Sequence, residues 1–168
     1  MHIFGIYTPR KNEVNYLFIP ISSLREAPLR LTAHTDYALR ILLHAALLAD
    51  EESEDLLSIA SVAEAHAISR NHAMKVVNLL ANAGLLETVR GRGGGFRLGK
   101  PAGQIRLGEV VRLTEPCLSP ADCSNCLLRR TCGLTAILDR AMNAFLAELD
   151  RQTLADAAAT TKLPALHA

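Results

Sequence analysis

Four cysteines, Cys117, Cys123, Cys126 and Cys132, occupy one short stretch with the spacing C-x5-C-x2-C-x5-C. Thiolates are soft donors that select iron-sulfur clusters, zinc or copper(I), and a short loop can wrap several of them around one centre. Pro116, Pro120, Asp122 and Asn125 mark the stretch as a loop, which argues against four inert core thiols. Zinc ribbons usually offer two C-x2-C knuckles, and here only Cys123 and Cys126 stand in that relation. Spacing alone leaves zinc and iron-sulfur both open. In a reducing cytoplasm, where the chain is expected to reside, such a concentration of thiols serves metal or redox chemistry in preference to disulfides. A thiol oxidoreductase or electron-transfer protein built on Cys123-x-x-Cys126 would need a βαβ context, and none precedes it. No acid, base and nucleophile converge elsewhere, so the chain is not read as an enzyme.

A second constellation is electrostatic. The formal net charge is only +1, yet Arg70, Lys75, Arg90, Arg92, Arg97, Lys100 and Arg106 face the single acid Glu87 over one continuous segment. Such clustering suits phosphate neutralisation and counterion release on double-stranded DNA. Ser69, Arg70, Asn71 and His72 stand at a helix start, the part of a recognition helix that reaches base edges, where Arg and Asn can pair bidentately with guanine and adenine.

These groups need a scaffold. Aromatics at 4% and the absence of Trp favour a helical core of Leu, Ala, Val and Ile. Ala38, Ile41, Leu42, Ala45 and Leu48 follow the spacing of an amphipathic helix, with Thr35 as its expected N-cap. An acidic loop, Asp50 to Asp55, precedes a short Ser58-capped helix burying Ile59, Val62 and Ala63. A turn at Ala67, where glycine would be easier, leads to a Ser69-capped helix with Ala73, Met74, Val77, Leu80 and Ala81 on its apolar face, stopped at Gly84. This is a helix-turn-helix. Leu85 to Arg90, the tip Gly91-Arg-Gly-Gly-Gly95 and Phe96 to Leu98 read as a β-hairpin wing, with Arg92 placed to enter a minor groove. Ile105 to Leu107 is read as a returning strand and Gly108 to Leu113 as a further helix. Leu134, Leu138, Ala141, Phe145 and Leu149 form the seam of a long dimerisation helix. No stretch of about 18 apolar residues exists, so no membrane span is expected.

The expected fold is therefore mainly α with a small β-wing, a winged helix-turn-helix plus a long C-terminal dimerisation helix. Residues 1–28 are read as an extension, 29–113 as the DNA-binding domain, 114–133 as the cysteine loop, 134–152 as the dimerisation helix and 153–168 as a flexible tail.

Together the two constellations resemble the winged-helix iron-sulfur transcriptional repressors, and among them the nitric-oxide-sensing branch. The resemblance rests on Leu31-Thr-Ala-His-Thr-Asp-Tyr-Ala-Leu-Arg40, Ile68-Ser-Arg-Asn-His-Ala-Met-Lys-Val-Val77, Glu87-Thr-Val-Arg-Gly-Arg-Gly-Gly-Gly-Phe96, Ile105-Arg-Leu-Gly-Glu-Val-Val111 and Phe145 to Asp156. It implies a homodimer with one cluster per subunit, held by three cysteines and by an aspartate from the first helix of the other subunit. Asp36 stands at that position, although by itself it would read as a first-turn charge. An oxygen ligand is harder and more labile than thiolate, which makes its iron a natural point of attack.

The chain departs from the family pattern in its fourth cysteine. The family's usual spacing selects Cys117, Cys126 and Cys132, with Cys123 a spare thiol, an alternative ligand if Cys117-x5-Cys123 forms the pair, or a fourth ligand in place of Asp36. Relatives with a 2Fe-2S cluster place histidine where Thr135 stands, so the resemblance favours 4Fe-4S. It begins near Leu29, with Leu29-Arg-Leu-Thr32 where a start Met-Arg-Leu-Thr is expected, so residues 1–28 are taken as disordered or as an artefact of start assignment. The implied function is a repressor that binds palindromic operator DNA as a dimer and releases it when nitric oxide attacks the cluster. An iron-status or redox sensor of the same architecture is the alternative.

Overall fold

The computed structural model describes residues 30–49 and 56–161. The expectations for residues 1–28, the acidic loop and the last residues of the chain lie outside that range. The described elements are α1 (Ala33–Leu48), α2 (Ile59–Ala65), α3 (Arg70–Asn82), β1 (Leu86–Val89), β2 (Gly95–Leu98), a single 3-10 turn (Ala102–Gln104), α4 (Leu107–Thr114), α5 (Gly133–Arg151) and α6 (Leu154–Thr160).

Helix α1 starts earlier than its periodicity implies. Thr32 is the N-cap, its hydroxyl accepting from the Thr35 amide, while Thr35, the expected cap, is a buried first-turn residue. Ala38, Ile41, Leu42 and Ala45 form the buried stripe that α3, α4 and α6 cover. Ser58 and Ser69 cap α2 and α3 as expected, each accepting from the amide three residues on. Between them Ala67 turns the chain at φ 52°, a left-handed conformation for a residue with a Cβ. Gly84, φ 72°, ends α3. The buried face of α3 is Ala73, Val76, Val77 and Leu80. Met74, expected in the core, is 45% exposed, because helical rotation places it one residue off that stripe.

The wing is an antiparallel pair registered Leu86↔Leu98, Glu87↔Arg97, Thr88↔Phe96 and Val89↔Gly95. Leu57 adds two backbone hydrogen bonds to Phe96, 2.9 Å each, pinning the wing to the segment before α2. A Cβ at Gly95 would collide with the Leu57 carbonyl, so this close approach requires glycine there.

Residues 153–161, within the segment read as a flexible tail, are instead docked on the core. Thr153 and Asp156 form a capping box, and Leu154 is buried with its amide donating to the Ile105 carbonyl at 2.8 Å. Ile105 to Leu107, read as a returning strand, is reduced to a single bridge between Arg106 and Thr153. A weak Ala-rich period conceals one deeply buried leucine, and burial of that leucine against α1 is what fixes α6. The chain thus leaves the winged domain at α4, runs through the cysteine loop and α5, and returns.

Candidate nucleic-acid interface and candidate metal centre

Helix α3 and the wing enclose an open trough of about 400 Å³ lined by Ser58, Arg70, Met74, Asn78, Val89, Arg90 and Gly94, among others. Arg70 and Arg90 stand on its walls, and Arg92 lies at the exposed tip, where Gly91 (φ 111°) and Gly93 (φ 80°) turn the hairpin. Ser69 is engaged as the cap of α3. Asn71, His72 and Lys75 are exposed, with the His72 ring near Tyr37 of α1 at a centroid distance of 6.1 Å. Not all the clustered cations are free. Arg97 donates to Glu87 at 3.0 Å across the β-ladder, Lys100 donates to Glu109 at 3.0 Å, and Arg106 donates to the Arg151 carbonyl at 3.2 Å. Among the described residues, Arg70, Lys75, Arg90 and Arg92 make no ion pair.

All four cysteines are free thiols in the segment between α4 and α5. An open pocket of about 430 Å³ holds Cys117 and Cys123 together with Asp122, Arg129 and Thr135. Asp122 accepts from the Ser124 hydroxyl and amide, which hold its carboxyl below the usual range. Cys126 donates its amide to the Cys123 carbonyl at 3.4 Å. Cys132 stands at the N-cap position of α5 without a side-chain cap hydrogen bond, and the neighbouring polar groups of Thr135 and Leu134 hold its thiol below the ordinary value. The Thr135 hydroxyl lies 3.9 Å from the Cys123 sulfur, which ties the first turn of α5 to the middle of the cysteine loop. This link was not legible in the spacing.

Among the described residues no three His, Cys, Asp or Glu side chains are gathered as a finished metal site. The donor set nevertheless fits an iron-sulfur cluster. It offers four soft sulfur donors on a solvated loop that holds no core residue. Asp36 lies on α1, half-exposed, and among the described residues its ion pair is with Arg40 one turn away at 2.9 Å. Such an exposed pair contributes about 0.3–0.5 kcal/mol, a small barrier to exchanging its partner.

A helix-turn-helix followed by a glycine-tipped hairpin, with a rim of cations that make no ion pair among the described residues, defines the winged-helix class of transcriptional regulator. Residues 31–160 match the model of the Rrf2 family, described as an iron-dependent transcriptional regulator. The chain is 43% identical over 133 residues to the HTH-type transcriptional regulator NsrR of Bacillus licheniformis, covering 76% of this chain and 91% of that protein. Among solved structures it resembles CymR, the global cysteine regulator of B. subtilis, with TM-score 0.66 and 28% identity over 80% of this chain and 99% of that one. It also shares the fold of T. potens IscR, with TM-score 0.63 and 21% identity over 84% of this chain and 98% of that one. The chain belongs to the Rrf2 family of transcriptional regulators.

Proposed function

We propose that this protein is a homodimeric iron-sulfur repressor that binds palindromic operator DNA and releases it in response to nitric oxide. The observation that carries the reading is the run of four thiols leading straight into the N-terminus of α5, on a chain similar to NsrR over most of its length. Cys117, Cys126 and Cys132 would hold a 4Fe-4S cluster, with Asp36 of the partner subunit as the fourth ligand and Cys123 as the alternative. When bound, the cluster supplies iron that reacts with nitric oxide. Asp36, as an oxygen donor, would be a harder and more labile ligand than the cysteine thiolates and would leave its iron the one most open to attack. Dimerisation uses the apolar stripe of α5, on which Leu134 and Phe145 are 57% and 42% exposed while Leu146 packs inward. Ser69, Arg70, Asn71, His72, Lys75, Arg90, Arg92 and Arg97 form the DNA face, with Arg97 the weakest contributor because Glu87 holds it. A change in dimer geometry worth about 3 kcal/mol weakens operator binding more than a hundredfold.

The test is anaerobic purification with iron and sulfide analysis, followed by nitric oxide titration and electrophoresis on operator-like DNA. About four irons and four sulfides per subunit, with affinity lost in step with the visible spectrum, support the reading. Colourless protein with stoichiometric zinc overturns the sensing mechanism and leaves a winged-helix regulator. A second reading, an iron-status or redox regulator, is favoured by the fourth thiol, Cys123, sharing a pocket with Cys117. Derepression on iron starvation with indifference to nitric oxide would select it.

A further inference from the structure

The trough between α3 and the wing is not uniformly polar. Met74 and Val89 are 45% and 42% exposed, and they line it together with Arg70 and Arg90. Met74 stands one helical turn after Arg70 and one before Asn78, so the three form a ridge about 12 Å long on the trough side of α3. Met74 and Val89 together give this otherwise polar trough an apolar strip that a partner with a small apolar group could cover.

The surroundings identify that partner's chemistry. The cations that rim the trough carry no ion pairs among the described residues, which disfavours a basic or neutral protein surface and suits a polyanion. The glycine tip admits close approach of a sugar-phosphate backbone. The apolar feature that DNA offers in its major groove is the 5-methyl group of thymine. Methionine, unbranched and polarisable, adapts to such a small apolar target.

We propose that Met74 reads a thymine methyl in each half-site, with Val89 closing the far wall of the trough, so that α3 specifies sequence through an apolar contact as well as through Arg70 and Asn71. The inference rests on the winged-helix reading and deepens it.

The experiment uses the cluster-loaded dimer and a duplex selected by it from a randomised library. Each thymine of the duplex is replaced in turn by deoxyuridine, which lacks only the methyl, and affinity is measured at fixed salt. One thymine per half-site is expected to be sensitive, losing about fourfold in affinity per half-site, the fold-change that one buried methyl predicts. Met74→Ala is expected to bind the parent duplex correspondingly more weakly, to be indifferent to deoxyuridine at that position alone, and to keep the wild-type salt dependence, while Met74→Leu restores the sensitivity. Indifference of the wild type to every replacement overturns the proposal. So does an Ala variant that weakens binding yet keeps the wild-type deoxyuridine profile, since Met74 would then pack only on sugar. If no duplex is selected at all, the DNA-binding reading fails and this one with it.

Discussion

Arg112 and Asp150 meet through two parallel hydrogen bonds of 2.6 Å, tying the last turn of α5 to α4. The guanidinium holds the Asp150 carboxyl below its usual range, so the pair is ionised throughout the physiological range. Gly108 lies directly beneath, and a Cβ there would occupy the position of the Asp150 carboxylate. Gly108→Ala should therefore break the pair and loosen α5 from the winged domain, lowering the melting temperature. Because the clash needs the carboxylate, adding Gly108→Ala to Asp150→Ala should cost little more than Asp150→Ala alone. An additive double mutant, read by circular dichroism melts, would place the effect of Gly108 elsewhere.

The His44 and His66 rings share a hydrogen bond of 3.0 Å that links α1 to the end of α2. Burial lowers the pKa of both, and the neighbouring His44 and Arg40 lower that of His66 further against the opposing pull of Asp36. A depressed histidine pKa means that the unfolded chain binds more protons, so stability rises with pH. It is fully present above about pH 6.5, the unfolded value, and is lost as pH falls below it. Urea titrations at pH 7.5 and 5.5 should show this loss. In His66→Gln the pH dependence should flatten, and an unchanged slope would remove the pair from the account.

Ala67 holds φ at 52° at the turn between α2 and α3. The left-handed conformation costs an L-residue about 1–2 kcal/mol, and glycine avoids that cost at an entropic penalty of about 0.5–1 kcal/mol. Ala67→Gly should stabilise the fold by about 0.5–1 kcal/mol, raising the urea midpoint without changing the slope. A lower midpoint would mean that the Ala67 methyl makes contacts that outweigh the strain.

Much of this architecture is written in the sequence because its signals are local. Ser58, Ser69 and Gly84 stand at helix ends whose chemistry they supply, and the glycines of the wing announce a hairpin. What escaped is non-local. The bridge from Leu57 to Phe96 leaves no periodic trace, and the docking of α6 depends on one leucine meeting Ile105 and α1. At the cysteine loop, residue types declare soft-metal chemistry, whereas the contact of Thr135 with Cys123 depends on how α5 begins. Charge counting failed for a similar reason. It sees Arg97 but not that the β-register sets Glu87 opposite it.

Leu154 tests the returning C-terminal segment. Its side chain is buried in the main core, and truncation to alanine should cost about 2–5 kcal/mol, as for other buried leucines. Deleting the chain after Gln152 should be at least as damaging, because the Thr153 and Asp156 cap and the bridge to Arg106 go with it. Wild-type thermal stability in the truncated protein would show that α6 is dispensable.

The wing offers a comparison between two arginines that composition treats as equal. Arg92 sits at the exposed tip without an ion pair among the described residues, while Arg97 is bound to Glu87 within the ladder. A cation that neutralises one phosphate adds about 0.9 to the magnitude of the logarithmic salt slope of binding. Arg92→Ala should lower that magnitude by about 0.9 for each phosphate left without its cation and weaken binding most at low salt. Arg97→Ala removes a charge already compensated and frees Glu87 to repel the backbone, so its effect should be rescued by Glu87→Gln, whereas that of Arg92→Ala should not. Equal salt slopes for the two single variants would mean that DNA draws Arg97 away from Glu87, making the ladder pair a latch that opens on binding.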